Sequence, residues 1–454
     1  MANTYLSRTQ ANGTSSQKFT VSCWIKRGGL TSTQAIWGSG SATNDGCDLA
    51  MTGTDQLTFE SWDGSNNPKL ITTRCFRDPG AWMHIVLAVD TTQATDTNRV
   101  KIYVNGVQET AFGTANYPSQ NYNLAVSTTN DIMKFGVGGQ YATSYWDGLI
   151  THAHFIDGTQ YAASDFGETD STSGIWIAKI SPSVTYGTNG AFLKFGNSGA
   201  MGTDSSGNSN TFAVGGGTLT QSIDTPDNNF CTNNPLDNYY YSSAFSNGNT
   251  TIVSSAATGK YSYGTTTFGI PDGKKIYCEV KMVAVSGGSI QARVGLISYP
   301  STSATVGVGS TTYTYGYSTD SGNIVTGNAG SSYGTAFALG DIMGIAIDTV
   351  NNKLYFSKNG VFQNSGVPTS GSTGTGAVSI ADLGTTASTN SGNYFLSWSD
   401  ESNSNGATLS WNFGQGYFGT TAVSSAGTAA STTGIFEYDV PTGYQPLSTK
   451  GLNA

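Results

Sequence analysis

The sequence predicts a nearly all-β protein of two domains, and three observations lead there. Its 454 residues exceed what one hydrophobic core normally serves. Gly is abundant (59 residues), Pro is scarce (11), Ser, Thr and Asn are frequent, and no apolar run has the period and length of a helix. Two stretches spell out β-hairpins whose second strand stops at Asn-Gly, a pair suited to positive φ in a tight turn.

The more explicit hairpin is GDIMGIAIDTVNNKLYFSKNGVFQ, Gly340 to Gln363. Ile342, Gly344, Ala346 and Asp348 point one way and Met343, Ile345 and Ile347 the other. The chain turns at Val350-Asn351-Asn352 and returns through Lys353 to Lys358 to Asn359-Gly360. The order Gly-Asp, apolar strand, Asp, turn, Leu-Tyr-Phe, Lys-Asn-Gly-Val resembles the signature hairpin of SPRY domains, which implies an antiparallel β-sandwich used for binding. GKKIYCEVKM (from Gly273), ARVGLIS (from Ala292) and ATLSWNFGQ (from Ala407) match the flanking strands of that family in order.

From the N-terminus, FTVSCWIKR (Phe19 to Arg27) alternates Phe19, Val21, Cys23 and Ile25 with Thr20, Ser22, Trp24 and Lys26, a strand with one buried face. Short strands follow at Ala35 to Trp37, Leu49 to Met51 and Leu57 to Trp62, each ended by Gly, Asn or Asp. The second hairpin, Trp82 to Gln108, joins Ile85–Val89 to Val100–Val104 through a polar loop and stops at Asn105-Gly106. Together with FTVSCWIKR and GLITHAHFIDG (Gly148 to Gly158), it resembles the concanavalin A-like or laminin G-like jelly-roll sandwich. The fold class expected is therefore all-β, two antiparallel jelly-roll β-sandwiches joined by a linker. The hairpins look alike because turn chemistry asks for it, a reading preferred here to an internal repeat.

Gly174 to Trp176, Gly190 to Gly199 and TFAVGG still read as strand material, whereas Ser222 to Asn238 has the Pro and Asn density of a linker. This places a laminin G-like domain at 1–221, the linker at 222–238 and a SPRY-like domain at 239–454. The tract from Ala200 to Asn210, the DTPDNNF linker and the terminal FEYDVPTGYQPLSTKGLNA are similar to segments found together in virion proteins of tailed phages of marine bacteria. That resemblance implies a tail fibre or other structural component, a homo-oligomer in the particle, with other virion proteins and a host surface glycan or protein as partners.

A formal charge of −9 argues against general attraction to nucleic acid or anionic membrane. Five cysteines (Cys23, Cys47, Cys75, Cys231 and Cys278) without C-x-x-C spacing indicate neither a disulfide framework nor zinc, and read as buried structural thiols. MANTYLSRTQ lacks a basic n-region with an apolar h-region, and no run of 18 apolar residues occurs, so a cytoplasmically made virion protein without membrane insertion is expected.

Catalysis is not expected. No Glu-x-Asp-x-x-Glu strand pattern occurs, and Glu60 with Asp63, Glu168 with Asp170, and Asp400 with Glu401 read as solvated turn carboxylates. No Gly-x-Ser-x-Gly elbow stands between a strand and a helix. His152 and His154, with Asp157 or His84, are the one metal-like constellation, but three histidines leave no fourth ligand. The resemblance to laminin G-like sandwiches, which sometimes hold calcium with loop carboxylates, makes calcium at Asp45, Asp48, Asp90 and Asp96 a weak alternative to no cofactor at all.

Recognition is expected in aromatics and loops. Tyr313, Tyr315 and Tyr317 alternate along one strand face, followed by Asp320 and Asn323, and the counterpart in the first domain is the loop holding Asn44 and Asp45. The competing reading puts those rings in the core. Tyr239, Tyr240 and Tyr241 cannot all face one way, so one should contact a neighbouring domain or chain. Two function classes follow: a tail adhesin that binds host glycan or protein, or an architectural component such as a capsid decoration or small fibre knob. A secreted carbohydrate-binding protein is a third.

Overall fold

A computed structural model describes residues 3–42, 45–139, 143–240, 242–254, 262–287, 290–298, 307–384, 391–400, 406–427 and 433–454. Strands make up 45% of it and helices 5%. The chain divides into two compact units, Met1–Gln221 and Ser222–Ala454.

In the first unit an eight-stranded antiparallel sheet runs in the order Phe112–Asn116, Lys69–Cys75, Gln56–Trp62, Asp45–Met51, Gln34–Ala42, Ile132–Phe135, Tyr5–Thr9, Ala213–Gly215. A six-stranded sheet faces it, ordered Ala191–Leu193, Gly148–Asp157, Lys18–Arg27, Trp82–Asp90, Val100–Val104, Val107–Glu109. The alternation read in Lys18–Arg27 sends Phe19, Val21, Cys23 and Ile25 into a core shared with Trp37, Leu49, Phe59, Leu87 and Phe155. A crossing segment covers the other face of the six-stranded sheet, where Ala163, Phe166 and Trp176 pack on Val86 and Ile156.

The second unit pairs a seven-stranded sheet with a nine-stranded one in which Ala407–Asn412, Lys275–Val285, Ile342–Asp348 and Lys353–Lys358 lie side by side. Met343, Ile345 and Ile347 enter the main core as their alternation requires. Their counterpart Ala346 is buried too, because Phe436, Val440 and Tyr444 of the C-terminal segment cover that face beside Tyr277 and Tyr355. Four donors converge on the buried Glu279 carboxylate beneath this strap: the N–H groups of Glu437 and Tyr438 (both 2.9 Å), Asn412 Nδ2 and Tyr277 Oη (both 3.2 Å).

The segment expected as a linker is instead part of the second unit. Phe230 and Cys231 are buried, Cys231 N–H donates to Leu447 O (2.9 Å), Thr449 N–H to Asn229 O (2.9 Å), and a strand already begins at Asn233. Two apolar side chains in a polar stretch decide this, since the C-terminus returns to cover them. A fragment 222–454 is therefore expected to melt cooperatively, whereas 239–454, cut at the boundary read from sequence, should be unfolded by circular dichroism. Equal melting of the two fragments would refute this.

Both Asn-Gly pairs form the expected turns, with φ of 49° and 82° at Asn105-Gly106 and 49° and 81° at Asn359-Gly360. In each, the Asn side chain caps the opposite strand: Asn105 Oδ1 accepts from His84 N–H (2.8 Å) and Asn359 Oδ1 from Ile342 N–H (2.9 Å). A Cβ at Gly106 would stand 2.7 Å from the Trp176 ring, and one at Gly360 2.6 Å from the Tyr438 ring. Gly106→Val and Gly360→Val should each cost at least about 1–2 kcal/mol, read as a lowered melting temperature. Unchanged melting in both variants would refute the assignment.

Candidate functional site

Consecutive strand registers of the eight-stranded sheet align seven residues on its outer face: Ser7, Lys134, Gly38, Asp48, Glu60, Lys69 and Asn116. Six inter-strand steps of ~4.8 Å make this row about 29 Å long. Asp48 and Glu60 are direct cross-strand partners, so their Cβ atoms stand roughly 5 Å apart. Like charges so placed repel, and a cation on each side offsets this. Lys69 Nζ is 2.8 Å from Glu60, while Lys134, whose pKa burial lowers, feels the attraction of Asp48.

The two halves of the row differ in access. Over Gly38 lies the segment through Gly138 and Gly139, so close that a Cβ at Gly38 would be 2.1 Å from Gly139 N. Gly139 N–H donates to Asp48 Oδ1 at 2.6 Å, and Asp48 is fully buried. On the other half Lys69, Ile71 and Trp62 are half-buried, and Thr114 and Asn116 are exposed. Trp62, two residues after Glu60 in the same strand, shares its face. The open half thus offers an indole, an amide, a hydroxyl and an ion pair.

Neither member of the carboxylate pair was expected in this role. Glu60 lies within the strand Gln56–Trp62 and is buried, and Asp48 lies in the strand Asp45–Met51, so neither is a turn or loop residue. Alternation along the two strands and the short connection between Met51 and Gln56 carry the register in the sequence, but twelve positions separate the two residues. For glycoside hydrolysis both carboxyl groups must reach the scissile bond, and a buried Asp48 bound by Gly139 does not.

Other expected turn carboxylates divide. Asp63 is an exposed turn residue and Asp170 a half-buried one, accepting from Ser173 N–H (2.7 Å) and Oγ (2.6 Å), whereas Glu168 is exposed but lies in the strand Gly167–Thr169 and not in a turn. Asp400 is instead buried in the strand Tyr394–Asp400, accepting from Ser254 Oγ and Ala407 N–H. Glu401 lies outside the described residues.

The histidines do not form the expected two-ligand strand. The register shifts between Thr151 and His154, and His152 takes φ 45°, so a β-bulge breaks the alternation. His154 is buried, stacked on Phe192 at 3.9 Å with Nδ1 3.0 Å from Tyr186 Oη. Asp157 is occupied by Thr14 N–H (2.8 Å), Ser15 N–H (3.1 Å), Asn189 N–H (2.9 Å) and Ser127 Oγ (2.8 Å). His84 lies between Trp24 and Trp176, and burial pushes its pKa down to about 3. Trp176 Nε1–H donates to its Nδ1 (3.0 Å), so the neutral ring carries its proton on Nε2 and gives it to Ser22 Oγ (2.8 Å). A ring in that tautomer takes no proton from Ser22.

Asp45, Asp48, Asp90 and Asp96 do not gather. Asp90 ends a strand of the other sheet, bound by Thr92 and Gln93, and Asp96 opens a short 3-10 turn. Among the described residues no three His, Cys, Asp or Glu side chains are placed to hold a metal ion.

The tyrosine stripe goes inward. Tyr315 and Tyr317 belong to the core of the second unit, where Tyr315 Oη accepts from Ala381 N–H (2.8 Å) and Tyr317 Oη donates to Thr335 O (2.7 Å). Buried acceptors and donors within reach of both hydroxyls make this stable, so the two are not binding rings. Tyr313 precedes the strand at φ 60° and is half-buried. Asp320 is exposed and accepts from Ser318 Oγ (2.8 Å), and Asn323 begins the next strand. Asp45 is half-buried in the other unit. Asn44 and Tyr241 lie outside the described residues, as do the side chains of Tyr239 and Tyr240, whose backbones pair with Tyr263 and Ser262. Four of the five cysteines are buried, but Cys75 is exposed, at the end of its strand.

Residues 1–163 match the family model described as the concanavalin A-like lectin/glucanases superfamily, and residues 275–381 match the SPRY domain. A concanavalin A-like domain is thus followed by a SPRY domain. No curated protein sequence matches the chain. Similar solved structures include the SPRY domain of human HERC1, at 16% identity over 39% of this chain and 96% of that one, with a TM-score of 0.30. Domain 4 of the extracellular arabinanase AbnA from Geobacillus stearothermophilus, solved with arabinotriose, is similar at 22% identity over 34% of this chain and 67% of that one, with a TM-score of 0.25. A pentraxin from Limulus polyphemus is similar at 13% identity over 39% and 86%, with a TM-score of 0.28.

Proposed function

We propose that the protein is a non-enzymatic binding protein of a tailed-phage virion, a tail adhesin that holds a host surface glycan. The observation that carries the binding reading is the open half of the polar row, where Trp62 stands beside Lys69, Thr114 and Asn116 on a sheet whose register fixes every one of them. An aromatic face with hydroxyl and amide groups around it suits a sugar ring, which offers C–H to the indole and O–H to the polar groups. Support for a virion origin comes from the segments at Ala200 to Asn210 and at the C-terminus. The buried Asp48 and the tautomer of His84 favour binding over cleavage.

Purified protein should bind glycans on an array and release no new reducing ends from any polysaccharide it binds. Antibody to the chain should label the tail in electron micrographs of virions. Shortening of a bound polysaccharide, abolished by Glu60→Gln, would make the protein a depolymerase, and labelling of the capsid would make it a decoration protein.

A further inference from the structure

The charge pattern of the same face narrows the ligand, an inference that rests on the glycan-binding reading above. Lys69 is the cation on the open half, and its ammonium is committed to Glu60 at 2.8 Å, an anion that is itself 5% exposed. Lys134, further along the row, is half-buried, donates to Gly138 O (3.4 Å) and faces Asp48. Arg74, at the far end of the strand that carries Lys69, pairs with Glu109 at 3.0 Å. These cations therefore each answer a carboxylate of the protein.

The residues flanking Trp62 in its own strand and in the neighbouring one add no cation to this face. Asp63 follows Trp62 directly and is exposed, held ionised by Asn66 (3.0 Å from its side chain, 2.6 Å from its N–H), Ser65 N–H (2.9 Å) and Tyr122 Oη (2.8 Å). Asp45, beside Gly46 that pairs with Trp62, is partly exposed. A polyanion laid across Trp62 would have to break the Lys69–Glu60 pair to find a counter-charge. Breaking it would leave a buried carboxylate uncompensated, which is costly. A neutral chain does not meet that obstacle, because its hydroxyls bond to Asn116, Thr114 and Lys69 while the ion pair stays intact.

We infer that the open half of the row selects an uncharged polysaccharide and rejects sulfated or uronic-acid polymers. The test is a glycan array carrying neutral, sulfated, sialylated and uronic-acid glycans, probed with the full chain. Binding should be confined to neutral glycans and stay within about twofold between about 0.05 and 0.5 M NaCl, since no phosphate-like or carboxylate counter-charge is involved. Trp62→Ala should weaken it about tenfold or more, with melting temperature unchanged, and Asn116→Ala should weaken it less. Signals on sulfated or uronic-acid glycans that fall with salt would overturn the neutral class while leaving glycan binding intact. Signals on neutral glycans undiminished in both variants would overturn the assignment to this face. Absence of any glycan signal would defeat the glycan reading itself.

Discussion

Deleting residues 433–454 should unfold the second unit rather than trim it. Phe436, Val440, Tyr444 and Leu447 are all buried, and side chains of this kind contribute roughly 1.5–3 kcal/mol each. Together that is on the order of 6–12 kcal/mol, comparable with the whole stability of a domain, about 5–15 kcal/mol. The deletion also strips Glu279 of the Glu437 and Tyr438 N–H groups and leaves Cys231 N–H without Leu447 O. The fragment 222–432 should show no cooperative thermal transition and rapid proteolysis. A transition within a few degrees of that of 222–454 would show the strap to be a dispensable cover.

The second large effect is an opposite response of the two units to pH between 5 and 8. In the first unit burial holds His84 at about 3 and His154 well below its usual value. Their folded pKa values lie below the unfolded value of about 6.5, so the stability they carry is present above that pH and is lost as pH falls toward 3. At pH 5 His84 imposes up to about 2 kcal/mol, since one pKa unit is worth about 1.4 kcal/mol, and His154 acts in the same direction. Asp147, pushed up by burial, acts in the other sense, one group against two. In the second unit burial outweighs the four donors and pushes Glu279 up to about 7. A raised carboxyl stabilises below its unfolded value, and that contribution is lost as pH rises through 7. Melted separately, 1–221 should be more stable at pH 8 and 222–454 at pH 5. Parallel profiles would refute the assignment, and in the first unit His84→Gln with His154→Phe should flatten the dependence.

Much of the fold is legible because it is written locally. Phe19 to Ile25 and Met343 to Ile347 are half of a period-two pattern, and a period of two commits every second residue to one side of a strand whatever lies beyond it. Asn105-Gly106 and Asn359-Gly360 fix their own backbone, since the left-handed region is open to Asn and Gly at little cost. What lies on the second face of each sheet is not local. The same alternation left Tyr315, Tyr317 and Tyr355 as readily outward as inward, and only the covering strands and the C-terminal strap put their rings in the interior. The bulge at His152 is likewise set by pairing with Lys18–Arg27 and breaks a geometry that spacing alone implied.

The sequence by itself determined the strands, the Asn-Gly turns, the all-β class and the order of the two sandwich types, because each rests on contacts between residues close in the chain. Only the tertiary structure decided that Phe230 belongs to a core, that Asp48 and Glu60 stand side by side between Lys134 and Lys69, and that half of that row is open beside Trp62. Those facts depend on which strands become neighbours and which segments return to cover them. Such pairings are settled by the apolar surface the whole chain can bury, a sum over distant residues that no single stretch contains.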